Sequence, residues 1–258
     1  MTVNDLISEL KSFAAFPVDD SKTCDFVKTG DAEKEVQKTA VAMFGTMEVI
    51  RQAAEWGAGF LIVHEPLTYD HMDQTPVSRI GDAKWHMLQE HQMTVFRFHD
   101  YAHAMDPDLI FEGEILRSGL KGTVVGRDRF AVTTFELSEP MTAGELAAVL
   151  EERLGIPHVR TAGELNKKGR RIACAFGSPG DLYDLYEDHD FILAGEICEW
   201  QDAELARDYA WMGENKALLV LGHETSEREG MVLLTQILKE KHPECAFRYF
   251  ESGSVLSR

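Results

Sequence analysis

The stretch Phe60-Leu61-Ile62-Val63-His64-Glu65-Pro66 decides the fold class. Its four consecutive apolar residues are too few for a helix, and a breaker closes them. That describes a strand buried on both faces, the mark of a parallel sheet. Outward from it the pattern repeats. Upstream, Thr46 opens a helix over 47–56 that Gly57 closes, and a short strand precedes it over 38–43. The first helix is predicted over 4–14, where Leu6, Ile7, Leu10 and Phe13 fall at helical spacing. Downstream, a helix over 78–92 leads to the strand Thr94-Val95-Phe96-Arg97-Phe98, which ends at His99-Asp100-Tyr101-Ala102-His103.

The middle of the chain alternates β-branched and aromatic residues over 124–137. Thr142 and Glu145 form a capping box opening a helix over 143–154. A strand over 171–175 enters the turn Gly177-Ser178-Pro179-Gly180 and a helix over 181–187. Strands are predicted at Phe191-Ile192-Leu193-Ala194, over 217–221 and over 247–250. Ser226 with Glu229 makes a second capping box, for a helix over 227–240. Strands alternating with helices predict an α/β protein of two α/β domains with mixed, largely parallel sheets. The expected boundaries are 1–125 plus 214–258 for the first domain and 126–213 for an inserted second domain.

The chain of 258 residues carries 26 Lys and Arg against 44 Asp and Glu, a net charge of −18. Such a field repels phosphate backbones and anionic lipid, which argues against general nucleic-acid or membrane-surface binding. The cysteines are Cys24, Cys174, Cys198 and Cys245; no two make a CxxC pair, and they read as reduced thiols. The N-terminus lacks a basic segment followed by an apolar core, and no apolar run reaches the ~20 residues of a bilayer span. A cytoplasmic protein is expected.

In open α/β sheets, ligands bind beyond the carboxyl ends of the strands. Three predicted strands end at a histidine: His64 with Glu65 beside it, His99 with Asp100 and His103 just beyond, and His223 with Glu227 one helical turn on. All three ends are expected on one sheet edge. A single histidine at a strand end is more often a cap or a surface group, and Glu at a helix N-terminus is favoured by the dipole alone. The joint pattern points to metal. Imidazole and carboxylate together suit Zn, Mn, Fe, Co or Ni. The groups exceed one tetrahedral set, so two divalent ions sharing a bridging carboxylate and a water are expected. His71, His86, His91, His158, His189 and His242 read as surface or helix residues.

The segment from Ala53 to Leu67, with its Gly57-Ala58 and its Val63-His64-Glu65-Pro66-Leu67, resembles the motif A…GA..II.HHPL. Gly222-His223-Glu224-Thr225-Ser226-Glu227-Arg228-Glu229-Gly230 resembles GHY.SE..G. Both motifs belong to the Nif-three-like dinuclear metal-centre hexameric proteins, also labelled the GTP cyclohydrolase I type 2 family. Weaker echoes are His99-Asp100-Tyr101-Ala102-His103-Ala104 against HTNLDA, the turn at 177–181 against G.GG, and Ala194-Gly195-Glu196 against TGE; together they span about 1–250. The resemblance implies two α/β domains, a toroidal homohexamer and a dinuclear site. Carried over by position, the implied ligands are His64, Glu65, His103, His223 and Glu227. Glu65 stands where the family has its second His, and His103 where it has Asp. The exchange is complementary: three imidazoles and two carboxylates remain. Trp200 stands where a His is common, and Phe44-Gly45-Thr46 lacks the family's Asp. The alternative to two ions is one ion on His64, His223 and Glu227, with Asp100 as substitute ligand.

The implied function is a metal-dependent hydrolase using a metal-bridging water on an unknown small-molecule substrate, with Glu65 or Asp100 as general base. The alternative is a non-catalytic hexameric metal-binding scaffold or regulatory protein.

Overall fold

The computed structural model describes residues 1–73 and 79–256, with 128 and 129 described by backbone alone. The chain divides into two compact units, residues 1–110 with 230–258, and residues 111–229.

The first unit begins with α1 (Val3–Ser12), followed by β1 (Val27–Thr29), β2 (Lys38–Ala42), α2 (Met47–Trp56), β3 (Phe60–Val63), α3 (Arg79–Glu90), β4 (Thr94–Arg97) and α4 (Asp100–His103). Helix α5 (Leu109–Ser118) runs across the first seam. The second unit continues with β5 (Gly122–Arg129), β6 (Val132–Thr142), α6 (Ala143–Leu154), β7 (Arg160–Gly163), β8 (Lys168–Ala175), α7 (Leu185–Asp188), β9 (Phe191–Ala194), a π-helical turn (Glu199–Ala203), α8 (Glu204–Trp211) and β10 (Ala217–Val220). Helix α9 (His223–Lys241) crosses the second seam, and β11 (Ala246–Tyr249) returns to the first unit.

The first sheet has the order β1-β4-β3-β2-β11. Its strands from β4 to β11 are parallel, and β1 closes one edge antiparallel to β4. As the apolar run predicts, all four residues of β3 are buried. Thr46 caps α2 by accepting from Val49 N, and Gly57 ends it in the left-handed region at φ 85°, as read from the sequence. Val49, Ile50 and Ala53 of that helix then pack with Ala40, Ala42, Leu61, Val63 and Val95 of the sheet. Each buried Val, Leu or Ile stabilises by about 1.5–3 kcal/mol relative to exposure. The predicted helix over 78–92 is observed as α3; Ser78 lies outside the described residues.

The second sheet has the order β5-β6-β8-β9-β10-β7. Strands β8, β9 and β10 are parallel, while β5–β6, β6–β8 and β10–β7 pair antiparallel. Both sheets are therefore mixed, and only the first is largely parallel. Strand β10, buried along its whole length, is held between β9 and β7. It belongs to this sheet, and the seams fall at 110/111 and 229/230 rather than at 125/126 and 213/214. The expectation of three histidine-bearing strand ends on one sheet edge is corrected by the same pairing: β3 and β4 share a sheet, and β10 is in the other.

Two further readings change. Thr142 and Glu145 do form the capping box of α6, but Ser226 caps nothing, because α9 already begins at His223. Its hydroxyl donates to His223 O and accepts from Gly177 N. Of the helix predicted over 181–187, only α7 forms.

Lys28 ties two loops of the first unit. Its buried ammonium donates to Cys24 O at 2.9 Å and Met72 O at 3.3 Å. Burial pushes its pKa down from 10.5 to about 8, against the opposing pull of the Asp73 carboxylate. Between those values the unfolded chain holds a proton that the folded chain has released, so stability rises with pH across this window. In Lys28→Met that part of the rise is expected to vanish, as read from urea midpoints across the window; an unchanged slope counts against the assignment.

Candidate metal centre

In the first unit, two neighbouring parallel strands deliver histidines to the same place. His64 follows β3 and is fully buried. Its Nδ1 lies 2.9 Å from Phe98 O. A carbonyl only accepts, so Nδ1 carries the proton and Nε2 the lone pair. Burial, reinforced by the nearby His99 and His103, pushes its pKa well below 6.5. A neutral imidazole is the form a metal takes.

His99 follows β4, and His103 ends the single turn of α4. His103 Nδ1 is 2.9 Å from Asp108 Oδ2, and His99 Nδ1 is 2.8 Å from Asp100 Oδ1. Burial alone would raise the Asp100 pKa, but hydrogen bonds from His99 and Thr23 hold it well below the carboxylate range. The ring centroids are 4.6 Å apart for His64–His99, 5.2 Å for His64–His103 and 5.0 Å for His99–His103. One ring nitrogen of each lies within 4.8 Å of the other two. Each ring is anchored through Nδ1 to a carbonyl or carboxylate, the support usual for metal-ligating histidine. The donor set fits a first-row divalent ion.

Two buried residues hold this arrangement. The Asp25 carboxylate accepts from the backbone N–H groups of His99, Asp100 and Tyr101 at 2.9–3.0 Å, which pins the start of α4. The Arg97 guanidinium donates Nε to His64 O at 2.9 Å, Nη1 to His71 O, and Nη2 to Glu65 Oε2 at 3.3 Å. Glu65 Oε1 stands 3.9 Å from His99 Nε2. Glu65 is thus the counter-ion of a fully buried arginine as well as a neighbour of the histidine cluster.

In the second unit, His223 is the first residue of α9. Its Nδ1 lies 2.8 Å from Glu196 Oε1 and its Nε2 3.2 Å from Glu227 Oε2, one turn along the helix. Glu227 is buried. Gly177, at φ +64°, packs so tightly on that carboxylate that a Cβ would collide with it. The glycine turn read at 177–180 therefore seats a helix turn carrying two of the expected ligands.

The first unit brings together His64, Glu65, His103 and Asp100 from the predicted set, and the second sets His223 beside Glu227. His99 marks a strand end in the sequence, but the implied ligand set omits it, because the family motif places its ligand at position 103. Asp25, Arg97 and Asp108 give no signal in the sequence; only the fold brings them to the histidines. His189, read as a surface or helix residue, is buried between Thr134 Oγ1 and Leu185 O. Trp200 is exposed in the π-helical turn. No helix among the described residues is long and apolar enough to cross a membrane.

A family model described as Duf34/NIF3 (NGG1p interacting factor 3) matches residues 1–253. The chain belongs to the DUF34/NIF3 family. A DUF34/NIF3 relative from Clostridium perfringens, named GTP cyclohydrolase 1 type 2 homolog, is 27% identical over 254 residues, covering 93% of this chain and 92% of its own. The solved structure of protein ybgI, of unknown function, superposes with a TM-score of 0.81 at 22% identity, over 99% of this chain and 100% of that one. The Staphylococcus aureus hypothetical protein SA1388 gives 0.79 at 19% identity, over 100% and 99%. These likenesses establish the DUF34/NIF3 fold for the whole chain.

Proposed function

We propose that this protein is a metal-dependent hydrolase of a small molecule, holding two divalent ions on His64, Glu65, His103, His223 and Glu227, with His99 joining the set. The observation that carries the reading is the convergence of His64, His99 and His103, each oriented through its Nδ1. The ions, when bound, supply an activated water and stabilise charge developing at the attacked centre. Glu65 would be the group placed to accept a proton there: Arg97 fixes one of its oxygens and leaves the other toward the histidines. Asp100 is the poorer base, since Cys24 N–H, the Cys24 thiol and His99 already engage its two oxygens. Relatives named as GTP cyclohydrolase 1 type 2 homologs make a purine nucleotide the first substrate to try, and a homohexamer in the cytoplasm the setting to test.

Metal per chain, measured by elemental mass spectrometry without chelator or His-tag, is expected near two. It should fall sharply in His64→Ala and His223→Ala. Turnover would be screened on GTP, phosphoesters and cyclic amides and should be lost in the same variants. A folded protein with no metal sinks the reading. Metal without turnover, with assembly size changing on its removal, favours the scaffold instead. Asp108→Ala is expected to weaken metal binding about 10–100-fold by freeing the His103 ring, as read by competition with a chromophoric chelator; unchanged affinity would remove His103 from the ligand set.

A further inference from the structure

Cys24, His99 and Asp100 form a second group whose ligand atoms all lie within 4.8 Å of one another. Cys24 sits in the loop before β1, and its thiol is buried. Asp100 reaches back over it: Oδ2 accepts from Cys24 N–H at 3.4 Å, and Oδ1 from the thiol at 3.7 Å. Asp100 Oδ1 is also 2.8 Å from His99 Nδ1. Asp25 follows Cys24 directly and binds the N–H groups of His99 and Asp100, so the two segments cannot part without breaking that clamp. Three donors of different chemistry are therefore held together by the Asp25 carboxylate.

We infer that Cys24 Sγ, His99 and Asp100 make a sulfur-containing position for a borderline divalent ion such as Zn(II) or Co(II). With metal–sulfur near 2.3 Å and metal–oxygen near 2.1 Å, the S···O edge of a tetrahedral site is about 3.6 Å. The observed 3.7 Å already matches it. The corresponding N···O edge is about 3.4 Å, so His99 and Asp100 need only exchange their hydrogen bond, now 2.8 Å, for ligation, the ring proton moving from Nδ1 to Nε2. On binding, the Cys24 S–H bond breaks. The sulfur keeps the electron pair and donates it to the ion, and one proton leaves to solvent per ion bound. His99 is common to this group and to the histidine cluster, so the chain carries a thiolate option beside its imidazoles. The inference rests on the metal-binding half of the reading above and not on catalysis.

The test is a cobalt(II) titration of the chelator-stripped full-length protein, followed in the near ultraviolet and visible. Wild type should develop a sulfur-to-cobalt charge-transfer band that saturates at one equivalent of sulfur-bound ion. Cys24→Ser should lose that band while still binding cobalt, Asp100→Asn should weaken it, and Cys198→Ser should keep it. Cobalt bound by wild type without the band overturns this site and leaves the imidazole centre standing. A band that survives in Cys24→Ser, or disappears in Cys198→Ser, overturns it as well. No cobalt bound at all overturns both readings.

Discussion

Arg97→Met should lower the stability of the metal-stripped protein by about 3–5 kcal/mol, the usual result of removing one partner of a buried ion pair. The methionine restores most of the apolar stem, so the loss is not one of volume. What disappears is a donor to three acceptors: the carbonyls of His64 and His71 and the carboxylate of Glu65. The Arg97 side chain is 1% exposed and that of Glu65 11%, so little water replaces it. Urea midpoints check the single variant. The double variant Arg97→Met with Glu65→Met separates charge from packing. Replacing a whole buried pair by apolar groups is often neutral, so the double variant should regain a large part of the loss. A single-variant loss below about 1 kcal/mol would show the pair to be no better than an exposed one.

Asp25→Ala should cost about 3 kcal/mol and loosen α4 selectively. Its carboxylate satisfies the first N–H groups of that turn, and each donor left unpaired costs about 1–3 kcal/mol; partial exposure of His99 and Asp100 keeps the sum toward the low end. Hydrogen exchange at His99, Asp100 and Tyr101 should quicken far more than in β3. Asp25→Asn, which keeps one acceptor oxygen, should lose less. Equal effects of the two variants, or no local change in exchange, would show that the carboxylate does not hold the turn.

The parts of the fold legible in the sequence are those written in local physics. Phe60-Leu61-Ile62-Val63 and Phe191-Ile192-Leu193-Ala194 are observed as strands at their predicted limits, because a short apolar run between breakers has few other solutions. Thr46, Gly57 and Thr142 act as caps because their side chains or backbone meet the helix end directly. Ser226 satisfies the same local rule yet caps nothing, because α9 already begins at His223 and Gly177 N from a distant turn donates to its hydroxyl. Sheet membership was illegible for β10, since nothing within 217–221 says whether its neighbours are β2 and β3 or β9 and β7. The candidate ligands divide the same way. The motifs point to His64 and His103 in the first unit and to His223 and Glu227 in the second. The Arg97–Glu65 pair and the Asp25 clamp join residues far apart in the chain, and no spacing rule reaches them.

The pairing of β11 with β2 has a consequence for synthesis. Residues 246–249 supply the outer strand beside residues 38–42, so the first sheet waits for a segment made after the whole second unit. The second unit is a single uninterrupted stretch, 111–229, and all six of its strands emerge before that segment. A nascent chain therefore completes its second sheet first and carries β2 with an open edge meanwhile. Exposed edges invite mispairing, and long-range closure is slow. Stop codons between 230 and 245 should accordingly yield aggregation-prone chains although they delete none of the histidines discussed here except His242.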